Sequence, residues 1–255
     1  MRYALISDIH ANLPALEAVL LDISNRADVE ATYHLGDLVG YSSQPNDVVE
    51  RLASAAIAGV AGNYDSTVAH GYAHCGCRSE SPRQEELAHV SYEWTRAHTS
   101  PAAKRFLGAL PFRLDLRPLG GHTAGPTVML MHGNNVLNTV YMTADRSDAQ
   151  LEKMAIALGA KVGDVVAFGH THIAWHREVA GVHFVNTGSV GRPKDCDWRA
   201  GYTLLDVGDG GVRVEHTRVG YDIDATIREI TAAGLPHEFA DFLRSGGKPT
   251  SSDPS

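Results

Sequence analysis

The chain has 255 residues, with 22 basic against 30 acidic side chains and a formal net charge of −8. An apolar fraction of 44% and a charged fraction of 20% are ordinary globular values and exclude a disordered chain or a fibrous repeat. The acidic balance argues against a stable nucleic-acid partner, because phosphate backbones are held by clustered Lys and Arg, so a small anionic ligand needs a local source of positive charge.

Residues 3–7 form a β-prone apolar run that stops at Asp8-Ile9-His10. Pro14 suits a first helical turn, and Leu13, Leu16, Leu20 and Ile23 recur every three or four positions, which predicts an amphipathic helix. Residues 31–35 predict a second strand ending at Gly36-Asp37. Val48, Val49 and Leu52 mark another helix, and residues 57–61 a third strand stopping at Gly62-Asn63. This alternation implies a parallel sheet with right-handed crossovers. Residues 64–81, rich in Gly, His, Cys and Ser, read as an irregular insertion. Residues 82–98 read as a helix with Leu87, Val90 and Trp94 on its apolar face.

Farther on, a strand at 128–131 ends at His132-Gly133, residues 148–158 are helical, and a strand at 165–168 runs into Gly169-His170-Thr171-His172. Further strands are predicted at 182–185, 202–207 and 212–219, with Gly208-Asp209-Gly210-Gly211 as a hairpin signal. A last helix spans 222–243 with a break near Gly234-Leu235-Pro236. The segment from 245 onward, SGGKPTSSDPS, predicts a disordered tail at 245–255, leaving 1–244 as a single domain. No apolar run approaches the roughly 20 residues that cross a bilayer, and the N-terminus turns polar too soon for a signal peptide. Cys75, Cys77 and Cys196 make no disulfide framework, so the expected compartment is the cytoplasm, with no membrane partner.

In open α/β sheets, ligands bind beyond the carboxyl ends of the strands. Here Asp8 and His10, Asp37, Asn63, His132, and His170 with His172 each follow a predicted strand. Oxygen and nitrogen donors without thiolate favour a hard or borderline divalent metal, and seven ligands exceed one tetrahedral site. They suit two ions sharing a carboxylate. Taken singly, Asp37 and Asn63 also read as ordinary turn residues after glycine, and Asn12 as a helix cap.

Asp8-Ile9-His10, Gly36-Asp37-Leu38-Val39-Gly40, Gly62-Asn63-Tyr64-Asp65, His132-Gly133 and Gly169-His170-Thr171-His172 resemble, in order, the five motifs of the calcineurin-like metallophosphoesterases. Residues 186–193 resemble the segment that follows them in small bacterial phosphodiesterase-type members. The resemblance implies an α/β fold built as a four-layer α/β/β/α sandwich. It implies two divalent ions, manganese first, with iron, zinc, nickel or magnesium as alternatives. Asp8, His10 and His172 would hold one ion; Asn63, His132 and His170 the other; and Asp37 would bridge them. Such a pair converts water to a hydroxide nucleophile near neutral pH and neutralises phosphoryl oxygens, which also supplies the positive charge that the composition lacks.

The implied activity is a phosphoesterase, a hydrolase acting on phosphodiesters or small organic phosphates, in a chain that works alone or as a homo-oligomer. Many members carry His where this chain has Tyr64. A neutral phenol, with a reference pKa of about 10, is a poorer proton donor to the leaving group, so slower turnover or a preference for good leaving groups is expected. Asp65, which would orient that His, is expected to support Tyr64 or the metal shell. Arg192 is a candidate phosphate contact, or a plain surface arginine. Cys75-Gly76-Cys77, near His70 and His74, is expected to line or cover the site rather than bind a third metal or act as a redox pair, while His34, His89, His98 and His237 read as solvated or satisfied core residues. The alternatives are a Ser/Thr-type protein phosphatase, and a non-catalytic scaffold resembling the retromer subunit of this family.

Overall fold

The computed structural model describes residues 1–78, 81–117, 125–208 and 210–247. The strand β1 (Arg2–Ile6) is central to one sheet, ordered β10-β9-β1-β2-β3, with β2 (Ala31–His34), β3 (Ala58–Gly59), β9 (Ala200–Gly208) and β10 (Gly211–Val219). β1, β2 and β3 run parallel, whereas β9 and β10 join antiparallel. The second sheet is ordered β4-β5-β6-β8-β7, from β4 (Arg113–Leu116), β5 (Val128–Met131), β6 (Val165–Phe168), β7 (Trp175–Val179) and β8 (Val182–Asn186). β5, β6 and β8 are parallel, with antiparallel strands at both edges. The parallel expectation thus holds for β1, β2 and β3 on one side of the first sheet and for the three inner strands of the second.

Side chains alternate across a strand, and here both faces are apolar. Tyr3 and Leu5 of β1 meet Val128, Leu130, Val165 and Ala167 of the other sheet in the central core. Their neighbours Ala4 and Ile6 instead pack beneath α1 (Leu13–Ser24) and α2 (Pro45–Ser54). On the far side, Met129, Met131, Val166 and Phe168 pack against Leu151 and Met154 of α6 (Asp148–Leu158). The result is helix, sheet, sheet, helix. It is the four-layer arrangement that the resemblance implied, and no single strand's periodicity could have announced it.

Three expectations need correction. The predicted insertion at 64–81 begins with a helix, α3 (Asn63–His70), capped at its start by the Asp65 carboxylate accepting from the Gly62 amide and closed by Gly71 with φ +70°. Helix α4 (Pro82–His98) has the predicted limits but a different inner face. Ser91, Tyr92 and Thr95 are buried, whereas Val90 is exposed and Leu87 and Trp94 only lean on a smaller apolar cluster. Last, Ser245 ends a helix. The 222–243 segment is broken where expected, into α7 (Ile223–Ala232) and α8 (His237–Ser245), and Gly246 then accepts from the Cys196 amide. The predicted hairpin turn at Asp209 and the tail from 248 lie outside the described residues. Helix α5 (Pro101–Gly108), β4 and β7 had no sequence expectation.

The strand-end loops cross at contact distance. A Cβ at Gly62 would lie 2.1 Å from Asp37 Oδ1 and 2.2 Å from the Asp37 amide nitrogen, and one at Gly169 would lie 2.0 Å from Ser7 Oγ and 2.6 Å from Asp8 Oδ2. Gly62→Ala is therefore expected to cost about 1–3 kcal/mol or more through overpacking against backbone that has no room to retreat. Gly208→Ala, with nothing within 4 Å, is the control and should change the denaturant midpoint little.

Candidate metal centre

All seven predicted ligands arrive at one place. Asp8 and His10 follow β1, Asp37 follows β2, Asn63 opens α3 just past β3, His132 follows β5, and His170 and His172 follow β6. All seven are buried. Asp8, His10, Asp37, His170 and His172 have positive φ, between 50° and 65°. Left-handed backbone costs a residue with a Cβ about 1–2 kcal/mol, so these loops keep their conformation only because surrounding contacts over-determine it.

The donors form two groups. In the first, ligand atoms of Asp8, His10 and His172 lie within 4.8 Å of one another. His10 Nε2 is 3.2 Å from His172 Nε2, and Asp8 Oδ1 is 3.3 Å from His172 Nε2. In the second, Asp37, His132 and His170 are equally close. His132 Nε2 lies 3.2 Å from His170 Nδ1, 3.4 Å from Asp37 Oδ2 and 3.2 Å from Asn63 Oδ1. The groups meet at Asp37, whose Oδ2 is also 3.8 Å from His10 Nε2.

The far ring nitrogens are tied down. His10 Nδ1 donates to the Val39 carbonyl at 3.1 Å, His132 Nδ1 to Leu35 at 2.7 Å and His172 Nδ1 to Arg192 at 2.5 Å. A carbonyl only accepts, so each Nδ1 carries a proton and each Nε2 is the nitrogen turned to the centre, the usual outer support of a metal-ligating histidine. Asp8 Oδ2 accepts from Ser7 Oγ at 2.7 Å and from the His170 amide at 2.9 Å. Its Oδ1, fully buried, has no hydrogen-bond partner. A carboxylate oxygen left so, facing imidazole lone pairs, fits a cation that supplies the missing charge.

The electrostatics agree. Burial outweighs nearby carboxylates and pushes His10 and His170 down to about 3 and His172 well below its usual value, so these rings are neutral ligands at pH 7. Burial works the same way on His132, but Asp37 beside it prevails and raises it to about 9. Burial alone would raise Asp37; the His132 imidazolium, with His10 and His170, holds it below the ordinary carboxylate range instead. Asp8, desolvated and near Asp37, rises to about 7.

The structure overturns the expected role of Tyr64. Its hydroxyl is buried and donates to Ser91 Oγ at 3.4 Å, while its ring packs edge-on against His10 at 5.7 Å. The phenol is used inside the apolar core, and burial drives its pKa far up. What Tyr64 gives the centre is its backbone amide, donating to Asp37 Oδ1 at 2.9 Å. Asp65 works through backbone amides rather than through the phenol. Its two oxygens accept from the Leu38 and Gly62 amides, both at 2.9 Å, and so clamp the loops that carry Asp37 and Asn63.

Arg192 is no plain surface arginine. Its guanidinium lies 3.9 Å from the Tyr41 ring centre and 3.6 Å from that of Phe242, with no carboxylate partner among the described residues. Tyr41 in turn meets His10 edge-on at 5.1 Å. Both guanidinium faces are covered, so its in-plane N–H groups are what it can offer an anion beside the centre. Asn12 caps α1 and also donates to Gly191 O and Tyr221 Oη, tying the first loop to the segment before Arg192. The Cys75–Cys77 loop lies against Asn63, and its two cysteines are joined by a disulfide, against the expectation that they form no redox pair.

Tyr41 and Tyr141 were missed by the sequence reading. Tyr141 lies over the His170 ring at 4.0 Å, in a stretch without periodicity to signal it. Tyr41 could have been noticed as the residue following the Gly36–Gly40 motif. His34 is buried in the core as expected, but neither ring nitrogen finds a partner, and burial lowers it to about 4.

The sequence profile of the calcineurin-like phosphoesterase superfamily domain matches residues 1–210. An uncharacterized protein of Methanocaldococcus jannaschii is 30% identical over 260 residues, covering 95% of this chain and 97% of the relative. A crystal structure of a metallophosphoesterase from Sphaerobacter thermophilus aligns with TM-score 0.72 and 27% identity over 96% of this chain and 99% of that one. A hypothetical protein from Pyrococcus horikoshii OT3 aligns with TM-score 0.81 and 22% identity, over 97% and 99% of the two chains, a likeness of fold. Among the described residues, no helix is long and apolar enough to cross a membrane.

A proton on His132 must leave before that nitrogen can ligate. At pH 8, between the values of about 7 for Asp8 and about 9 for His132, divalent metal uptake should release about one proton, read by calorimetry in buffers of different ionisation enthalpy. In the metal-free protein, NMR titration should place His132 above an ordinary histidine, and Asp37→Asn should bring it down.

Proposed function

This chain belongs to the calcineurin-like phosphoesterase superfamily, a family of metal-dependent hydrolases, and on that premise we propose that it is a dinuclear phosphoesterase acting on phosphodiesters or small organic phosphates with good leaving groups. The observation that carries the reading is the pair of buried donor groups meeting at Asp37, with Asn63 Oδ1 turned to the second. Asp8, His10 and His172 would hold one divalent cation, and Asn63, His132 and His170 another, with Asp37 between them. The oxygen and nitrogen set suits a hard or borderline divalent metal, and the family resemblance puts manganese first. Cations bound there supply activation of water and neutralisation of phosphoryl oxygens.

The chain's own residues do the rest. Asp65 and the Tyr64 amide fix the carboxylate of Asp37 relative to Asn63. Arg192 offers an in-plane fork to a phosphoryl group, its rings of Tyr41 and Phe242 excluding water from both faces. With the Tyr64 hydroxyl bonded to Ser91, no phenol proton is offered to the departing oxygen. Esters whose alcohol leaves without protonation are therefore favoured, which supports diesters and activated organic phosphates over simple alkyl monoesters. The scaffold reading is disfavoured by the full set of seven buried donors turned to one place, since packing alone gives no reason to keep them together.

A nitrophenyl phosphodiester assay with Mn²⁺ tests the proposal. Activity should vanish with chelator and fall at least about 100-fold in Asp37→Ala and His170→Ala. Chelator-insensitive turnover overturns it, and a preference for phosphopeptides over small esters would favour the protein phosphatase reading. For Tyr64→Phe, kcat/KM should stay within about threefold, with stability lower by about 0.5–1.5 kcal/mol for the lost Ser91 bond.

A further inference from the structure

Asn63 has a support that the phosphoesterase reading does not account for. Its Nδ2 donates to the Cys75 carbonyl at 3.2 Å and to Cys77 Sγ at 3.1 Å. A carboxamide has a donor end and an acceptor end. With the donor end directed at the loop, the acceptor Oδ1 is the end facing His132 Nε2. A flip of the amide would turn N–H groups toward the centre, where no cation can be ligated by them. The loop from 75 to 77 thus decides which end of Asn63 the centre receives.

That loop is covalently closed. Cys75 and Cys77 are joined by a disulfide across a sequence separation of 2. The left-handed Gly76, φ +73°, turns the chain between them, and the Cys77 amide donates to Cys75 Sγ at 3.3 Å. A cross-link over so short a loop removes little entropy from the unfolded chain compared with the long loops that disulfides usually close. Its effect is local, and the donor of the centre that it holds by hydrogen bonds is Asn63.

We propose that Cys75 and Cys77 form a reversible redox-modification site whose disulfide holds the Asn63 carboxamide in its metal-accepting orientation. The inference rests on the metallophosphoesterase reading of the centre. Cys77 is half-buried and Cys75 buried, so a thiolate of an external dithiol attacks Cys77 Sγ and expels Cys75, which takes up a proton. The second thiol of the reductant then attacks the mixed disulfide, releasing Cys77 as thiol and the reductant as its own disulfide. Two electrons and two protons pass to the protein. The opened loop no longer fixes Cys77 Sγ beneath Nδ2, and Asn63 loses part of what orients it.

The test is calorimetric titration of the metal-free full chain with Mn²⁺, once after treatment with a thiol oxidant and once after reduction by a dithiol. Intact mass confirms the gain of two hydrogens on reduction. The oxidised protein should bind both equivalents, and reduction should weaken one of them by about 10-fold, in line with the loss of an outer-shell contact. Cys75→Ser should show the weaker binding in both conditions, with circular dichroism confirming the fold. Equal affinities in the two redox states, tighter binding after reduction, or failure of the disulfide to form under oxidant would each overturn the inference while leaving the phosphoesterase reading intact. Absence of Mn²⁺ binding in either state would overturn both.

Discussion

Two carboxylates, Asp8 and Asp37, are buried within reach of four imidazoles, and among the described residues neither has a lysine or arginine partner. Burying charge without compensation is among the most costly arrangements a protein can make. His132 answers part of the demand by keeping its proton beside Asp37. The unpartnered Oδ1 of Asp8 marks the part that it leaves unanswered. Divalent cations would complete the balance, and would also give an acidic chain the local positive potential that recognition of phosphate requires.

Backbone geometry serves this arrangement at some cost. Strand-end loops bend through left-handed conformations at five of the donors, and they cross so closely that Gly62 and Gly169 leave no space for a methyl group. The mixed sheets behind them are apolar on both faces and give these loops a rigid base. Strain of this kind at the donors is how a fold holds ligands where a relaxed chain would not.

Around the donors the chain uses aromatic rings and amides rather than further charge. Tyr41 and Tyr64 meet His10 edge-on, Tyr141 covers His170, and Arg192 lies between Tyr41 and Phe242. Such walls lower the local dielectric and strengthen every interaction inside. They also explain why a tyrosine at position 64 changes the chemistry rather than imitating a histidine. The longer side chain carries its hydroxyl past the centre to Ser91, leaving only its amide on Asp37.

Much of the centre was legible in the sequence. Short apolar runs ending in Asp8, Asp37, Asn63, His132 and His170 could be read because a strand's end, its change of polarity and its ligand are all local. The apolar spacing of α1 and the limits of α4 and α6 were legible for the same reason. Other features were decided only by tertiary structure. The direction of the Tyr64 phenol, the clamp made by Asp65, the aromatic faces on Arg192 and the grip of the Cys75–Cys77 loop on Asn63 each join residues whose neighbours are distant in the chain or invisible to hydropathy. The helix over 63–70 was hidden because its inward face is largely polar, and the buried face of α4 because a serine and a threonine stand where apolar spacing would be sought. Sequence determines which groups are available at the strand ends; side-chain direction is settled by packing, and packing is a property of the whole fold.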